Sequence, residues 1–120
     1  MQQLTITIEK NSELENTHIA HFEGAFDGSM KEPLADLETL INSGTPKTNL
    51  IFDFKELDYL NSYAIGQLVA WQNHLLKSEG QIIIAGPSKN VEDILGILGI
   101  SNLFKIFPDV ESSLNTLKTQ

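Results

Sequence analysis

The 120-residue chain contains no cysteine and no arginine. Without thiols it forms neither disulfides nor thiolate centres, which suits a reducing compartment. Eight lysines, scattered along the chain, stand against sixteen acidic residues and leave a net charge of −8. Phosphate backbones demand clustered cations, so nucleic acid and anionic membranes are not expected partners. A basic protein partner would instead be steered in faster. No apolar stretch approaches the roughly 20 residues of a bilayer span, so no membrane insertion is expected. The start, Met1-Gln2-Gln3-Leu4, has neither a basic opening nor an apolar run. No secretory signal is therefore expected, and a cytoplasmic location follows.

Catalytic signatures are missing as well. Gly24 and Gly28, or Gly96 and Gly99, do not have the spacing of a dinucleotide or P-loop turn. Ser62 lacks the flanking glycines of a nucleophile elbow, and no histidine in the sequence is placed to activate it. His18 and His21 are three apart on a predicted strand and should point to opposite faces, so they are read as separate residues, not metal ligands. His74 stands alone on a helix. A phosphoaspartate receiver would cast Asp53 as acceptor. That fold alternates strand and helix from the start, however, and Ile8-Glu9-Lys10 offers a single acid where metal ligands would be needed. No enzymatic activity, metal or cofactor is expected, and nothing resembles a nucleotide-sensing motif.

What is present is ordinary globular material, 41% hydrophobic and 20% charged, long enough to bury a core. Leu4-Thr5-Ile6-Thr7-Ile8 alternates as a half-buried strand, and residues 16–24 return as its hairpin partner. Ser29-Met30-Lys31-Glu32 has the form of a capping box before Leu34, Leu37, Leu40 and Ile41 at helical spacing. Leu50–Phe54 and Ile82–Ala85 are short apolar runs typical of strands covered on both faces. Between them a helix runs from about Ser62 to Glu79-Gly80, with Gly80 suited to the left-handed position after the last turn. Ser88 can cap a helix bearing Val91, Ile94, Leu95 and Leu98 and closed by Gly99. Leu103–Phe107 reads as a last strand, and Pro108-Asp109 opens a terminal helix with Val110, Leu114 and Leu117. The order β-β-α-β-α-β-α-β-α predicts an α/β fold. Its mixed sheet has an antiparallel entry hairpin, is otherwise largely parallel, and is covered by about four helices. No repeat, linker or low-complexity tract divides residues 1–120.

The segment from Asp58 to Trp71 is the most informative. Ser62 sits where a buried strand turns into an amphipathic helix. At 100° per residue Ala64, Ile65, Leu68, Val69, Leu75 and Leu76 share a face that should be core. Tyr63, Gln67, Ala70 and His74 lie opposite, with Trp71, the single tryptophan, on the border. Exposed tyrosine and tryptophan beside polar groups mark docking surfaces, although Trp71 could equally cover the sheet edge. Either Asn61 or Ser62 could cap the helix. A phosphate on Ser62 would add roughly −1.5 to −2 charges next to unpaired backbone N–H groups, which a helix terminus tolerates.

Ile51-Phe52-Asp53-Phe54, Leu57-Asp58-Tyr59-Leu60, Asn61-Ser62 and Ile65-Gly66 follow one another at spacings that resemble a STAS domain, the module of bacterial anti-sigma-factor antagonists. Gly80, Ile82–Gly86, Leu95-Gly96-Ile97-Leu98-Gly99-Ile100 and Leu103-Phe104 continue the resemblance downstream. Gly24-Ala25-Phe26-Asp27 is similar to the Gly-x-x-Asp at the end of the family's second strand. The likeness covers nearly the whole chain, so residues 1–120 are read as a single STAS-like domain.

The resemblance implies a partner-switching regulator. It would bind an anti-sigma-factor serine kinase while unmodified, be released when that kinase phosphorylates it, and be restored by a serine phosphatase. Ser62 would be the acceptor, Asp27 would lie near it, and Asn61, Ser62, Tyr63, Gln67, Trp71 and His74 would form the contact surface. The family usually has Asp before the serine, then a small residue and glycine. Here those places hold Asn61, Tyr63 and Ala64. These departures bear on phosphorylation more than on fold, and they keep open a non-switching scaffold, such as a subunit of a lipid-transport ATPase or a stress complex.

Overall fold

The computed structural model describes residues 3–119. Alternation in Thr5–Lys10 (β1) and Thr17–Phe26 (β2) builds the expected antiparallel hairpin, with Ile6 opposite Phe22 and Ile8 opposite Ala20. Asn11 closes the turn, its side-chain oxygen accepting from the N–H groups of Glu13 and Leu14. The remaining strands are Asn49–Leu60 (β3), Gln81–Ala85 (β4) and Lys105–Phe107 (β5), all parallel to β2 in the sheet order β1-β2-β3-β4-β5. Helices Ala35–Ile41 (α1), Ser62–Leu76 (α2) and Lys89–Ile97 (α3) connect them, and Val110–Lys118 (α4) ends the chain.

Strand alternation assigns the two faces. Phe22, Phe52, Phe54, Ile82 and Ile84 meet Leu37, Leu68, Leu75, Val91 and Leu95 of the three connecting helices in the larger core. Ile19, Ile51, Ile83 and Ala85 pack on the other side with Leu117 of α4. The fold therefore agrees with the class read from the sequence, but several local readings need correction. The Ser29–Glu32 capping box does not form: a 3-10 turn at Glu32–Leu34 precedes a seven-residue α1, and neither start has a side-chain cap. Leu76, read as core, is 50% exposed. The last strand begins only at Lys105, after a 3-10 turn at Ser101–Leu103.

The strand leading to Ser62 is much longer than its apolar run. Two single-residue register shifts against β2, between His21 and Glu23 and between Gly24 and Ala25, place extra residues in β3. Such bulges break the two-residue period. Buried Phe54, Leu57 and Leu60 thus recur every third residue while facing one core, a spacing that hides a strand from a pattern search.

On the α4 side of the sheet His21 clamps three strands together. Its Nδ1 lies 2.7 Å from Asp53 Oδ2 on β3, and its Nε2 lies 2.7 Å from Glu9 Oε1 on β1. Two carboxylate partners require both ring nitrogens to donate, so the geometry is that of imidazolium. Burial opposes the charge, but the hydrogen bonds and charges of Glu9 and Asp53 outweigh it and hold the pKa above the ordinary 6.5. A raised folded-state pKa gives stability fully present below 6.5 and lost as pH climbs through the folded value. Thermal melts of wild type and His21→Gln should therefore differ most below pH 6.5, and the difference should shrink as pH rises further. A constant difference across that rise would contradict the clamp. His18 has the opposite tendency, lowered by burial and then by Lys10, and is common to both proteins in that comparison.

Candidate docking site at the start of helix α2

The turn from β3 into α2 is capped by Asn61, whose side-chain oxygen accepts from Ala64 N–H at 3.1 Å. The Asn61 amide also donates to the Asp27 carbonyl at 2.9 Å, tying the end of β2 to the helix start. Asn61 thus performs the cap that either residue could have supplied. Ser62 is the first helical residue and exposed, and its hydroxyl makes no hydrogen bond among the described residues. It sits beside the positive end of a 15-residue helix.

Asp27 is brought to this corner as expected. Its carboxylate accepts from Ser29 N–H at 2.9 Å, and the Ser29 hydroxyl and N–H together keep its pKa below the usual 3.8. The next residue, Gly28, has φ of +85°, and a Cβ there would sit 2.7 Å from Cδ1 of Tyr63. The Tyr63 ring therefore lies over a glycine that leaves it room. The bulky residue after Ser62 is accommodated by a specific gap and remains 37% exposed. Gln67, partly exposed, donates weakly to Tyr63 Oη at 3.5 Å.

Two other expected members do not join this corner. Trp71 is only 6% exposed, stacked on Phe26 and edge-on to Phe52. The border position resolves inward because the aromatic cluster under β2 and β3 offers the indole a complete apolar wall. His74 is exposed but lies twelve residues along α2 from Ser62, about 18 Å at 1.5 Å per residue.

Gly66 and Tyr59, read in the sequence only as parts of the family pattern, also belong to the open surface. Gly66 follows Ser62 by one turn on the open face, in line with exposed Ala70 and Asn73, and nothing lies within 4 Å of a Cβ built on it. A helix-interior glycine costs about 1 kcal/mol relative to alanine, and no contact inside the molecule requires it. Tyr59, at the end of β3, is 37% exposed like Tyr63. A signal for Gly66 was available, since glycine in a strongly helical run calls for a packing or functional reason. The corner thus offers a free hydroxyl, two half-exposed tyrosine rings and a smooth strip that permits close approach of another backbone.

A model of the STAS domain matches residues 6–113. The chain belongs to the STAS-domain family. Among solved structures it is similar to the anti-sigma factor antagonist SpoIIAA in its unphosphorylated form. That match has TM-score 0.78 and 18% identity, over 97% of this chain and 98% of that one. The Bacillus cell fate determinant SpoIIAA in the phosphorylated form matches with TM-score 0.72 and 18% identity, over 94% and 99%. The STAS domain of a SulP transporter from Vibrio cholerae is similar too, with TM-score 0.64 and 18% identity over 91% and 89%. At such identities the likeness is one of fold, and STAS domains with that fold occur both as anti-sigma factor antagonists and within transporters. Among curated proteins no sequence matches the chain. No helix of the described residues is long and apolar enough to cross a membrane.

Proposed function

We propose that residues 1–120 act as one STAS-type partner-switching regulator, without catalytic activity of their own, in the cytoplasm. The open face of α2 docks on a serine kinase of the anti-sigma-factor type. Phosphorylation of Ser62 ends the complex, and a serine phosphatase restores it. The observation carrying this reading is the unengaged Ser62 hydroxyl, freed from capping by Asn61, at the head of a smooth exposed strip. A phosphate there adds roughly −1.5 to −2 charges on the rim of the contact. The helix terminus accommodates that charge, whereas a surface fitted to the neutral hydroxyl does not. Asp27, Asn61, Ser62, Tyr63, Gln67 and the outer part of α2 toward His74 form the surface, and Trp71 supports it from beneath. That SpoIIAA has been solved both unphosphorylated and phosphorylated supports the reading by analogy.

The test is titration calorimetry of the protein with the anti-sigma-factor-type kinase of its own host. Ser62→Asp should weaken binding at least about tenfold, roughly 1.4 kcal/mol, while the far-UV circular dichroism stays native. Equal affinity for both proteins would dispose of the switch.

Gly66→Ala separates docking from folding. The added methyl meets nothing in the free protein, so stability should rise by about 0.5–1 kcal/mol. The same methyl stands in the path of a closely approaching partner, and affinity should fall. If stability and affinity both improved, α2 would not be the docking face.

A second reading, a STAS subunit held permanently in a larger complex, is favoured by the likeness to a transporter STAS domain. Tyr63 beside Ser62, where the family carries a small residue, favours it too. It expects no phosphoserine on protein purified from the native host, which an intact-mass measurement reads directly.

A further inference from the structure

A second open surface lies at the other margin of the sheet, along β5, and it plays no part in the switch. β5 is an end strand, and among the described residues no strand pairs with its outer side. Between it and α3 runs a cleft of about 770 Å³ lined by Glu92, Asp93, Gly96, Ile97, Ser101 and Ile106. Ile97 is 83% exposed and its neighbour Leu98 53% exposed, the two highest values among the large apolar side chains. Gly96 is the penultimate residue of α3, and a Cβ there would meet nothing within 4 Å. The protein's own packing does not demand a glycine there.

The rim of the cleft is acidic. Asp93 is paired with Lys89 at 3.3 Å, whereas Glu92 forms no ion pair among the described residues. Glu92 and Ile106 also line a second cleft that continues past Phe107 to Pro108 and Gly86. The apolar floor therefore extends along the strand, with one uncompensated carboxylate near its middle. Lys105, the cation on β5, pairs in register with Ile83, whose side chain belongs to the α4 face; strand alternation puts it on that side, away from the cleft that Ile106 faces.

We infer that the β5–α3 cleft is a docking groove for an extended protein segment whose cleft-facing residues, every second one, are apolar apart from a single lysine or arginine. The exposed backbone edge of β5 supplies main-chain hydrogen bonds. Ile97 and Ile106 receive the apolar side chains, Gly96 leaves room for the incoming backbone, and Glu92 pairs with a cation. The overall charge of −8 steers such a segment toward the molecule. A second copy of this chain is a poorer occupant, because it would bring like charge to the same rim.

Selection of a random displayed-peptide library against the full chain tests the proposal. Enriched peptides should be short, carry apolar residues and one Lys or Arg at every second position on a single face, and have no proline in the middle. A synthetic copy of the strongest should shift the amide resonances of Gly96, Ile97 and Ile106. Its affinity should fall at least about tenfold on Ile97→Asp and measurably on Glu92→Gln. Both side chains are exposed, so the two variants should keep a native dichroism spectrum, and Ser62→Asp should bind the peptide like wild type. No enrichment, acidic or uncharged winners, or shifts confined to α2 would overturn the groove. Dimerisation in sedimentation velocity that Ile97→Asp abolishes would overturn it in favour of a second copy.

Discussion

Trp71→Ala should lower the unfolding free energy by about 3–5 kcal/mol, as measured by urea denaturation followed by circular dichroism. The indole is 6% exposed, its ring centroid 6.0 Å from Phe26 in a stacked arrangement and 6.1 Å from Phe52 in an edge-on one. Phe52 in turn packs 4.9 Å from Phe22, which stands 5.2 Å from Phe54. Emptying one member of that cluster removes apolar burial and leaves a cavity that the rigid strands β2 and β3 cannot close. Small domains have about 5–15 kcal/mol in total, so the loss takes a large share of the stability. Trp71→Phe should recover much of the loss, because an aromatic ring restores the stacking partner. A cost below about 1 kcal/mol would mean that the side chain is largely outside the core, and would return it to the docking face where helical periodicity allowed it.

Gly80→Ala should cost about 3 kcal/mol or more, the upper range of overpacking. A Cβ at this position would collide with the carbonyl oxygen of Thr48 and stand 3.1 Å from the Thr48 nitrogen. Neither backbone can give way easily. Gln81 N–H donates to Thr48 O at 3.0 Å, Lys47 N–H donates to Ser78 O at 2.8 Å, and Gly80 N–H closes α2 on Leu75 O at 2.9 Å. The left-handed conformation is taken by the preceding residue instead, with Glu79 at φ +65°. Glu79→Gly should therefore be neutral or mildly stabilising, the reverse of what Gly80→Ala does. Melting both variants under one condition compares the two roles directly. A harmless Gly80→Ala would mean that the chains do not approach closely between residues 48 and 80.

These corrections have a common origin. Helical and strand periodicities report which positions are apolar, and on that basis the element order, the hairpin and the parallel strands could be read directly. Periodicity does not report which gap an apolar side chain will fill. Trp71 sits at an angle from which it could turn to either side, and only the neighbouring Phe26 and Phe52 decide. Gly80 at the end of a helix matches a common left-handed cap, yet its reason is the backbone of Thr48, just before β3 and 32 residues earlier in the chain. The second half of β3 was missed because two bulges convert a two-residue spacing into a three-residue one.

The functional corner divides in the same way. Ser62, its helix and the nearby Asp27 were legible because local rules, the strand-to-helix turn and a recurrent family pattern, bear on them. Which residue caps was settled only by atoms meeting in space, since Asn61 and Ser62 are chemically competent alike and the geometry gives the bond to Asn61. The His21 clamp illustrates the point most clearly. Glu9, His21 and Asp53 are 12 and 32 residues apart in the chain, and nothing local links them. Strand pairing alone lays them side by side on one face, where two carboxylates can hold one imidazolium.

Composition and periodicity were thus sufficient for the α/β class, for the order of its elements and for the placing of a hydroxyl at a helix start, because each depends on near neighbours. Burial of Trp71, close approach at Gly80, the charged clamp at His21 and the openness of α2 at Gly66 depend on contacts between distant segments. Such contacts exist only after the sheet has assembled.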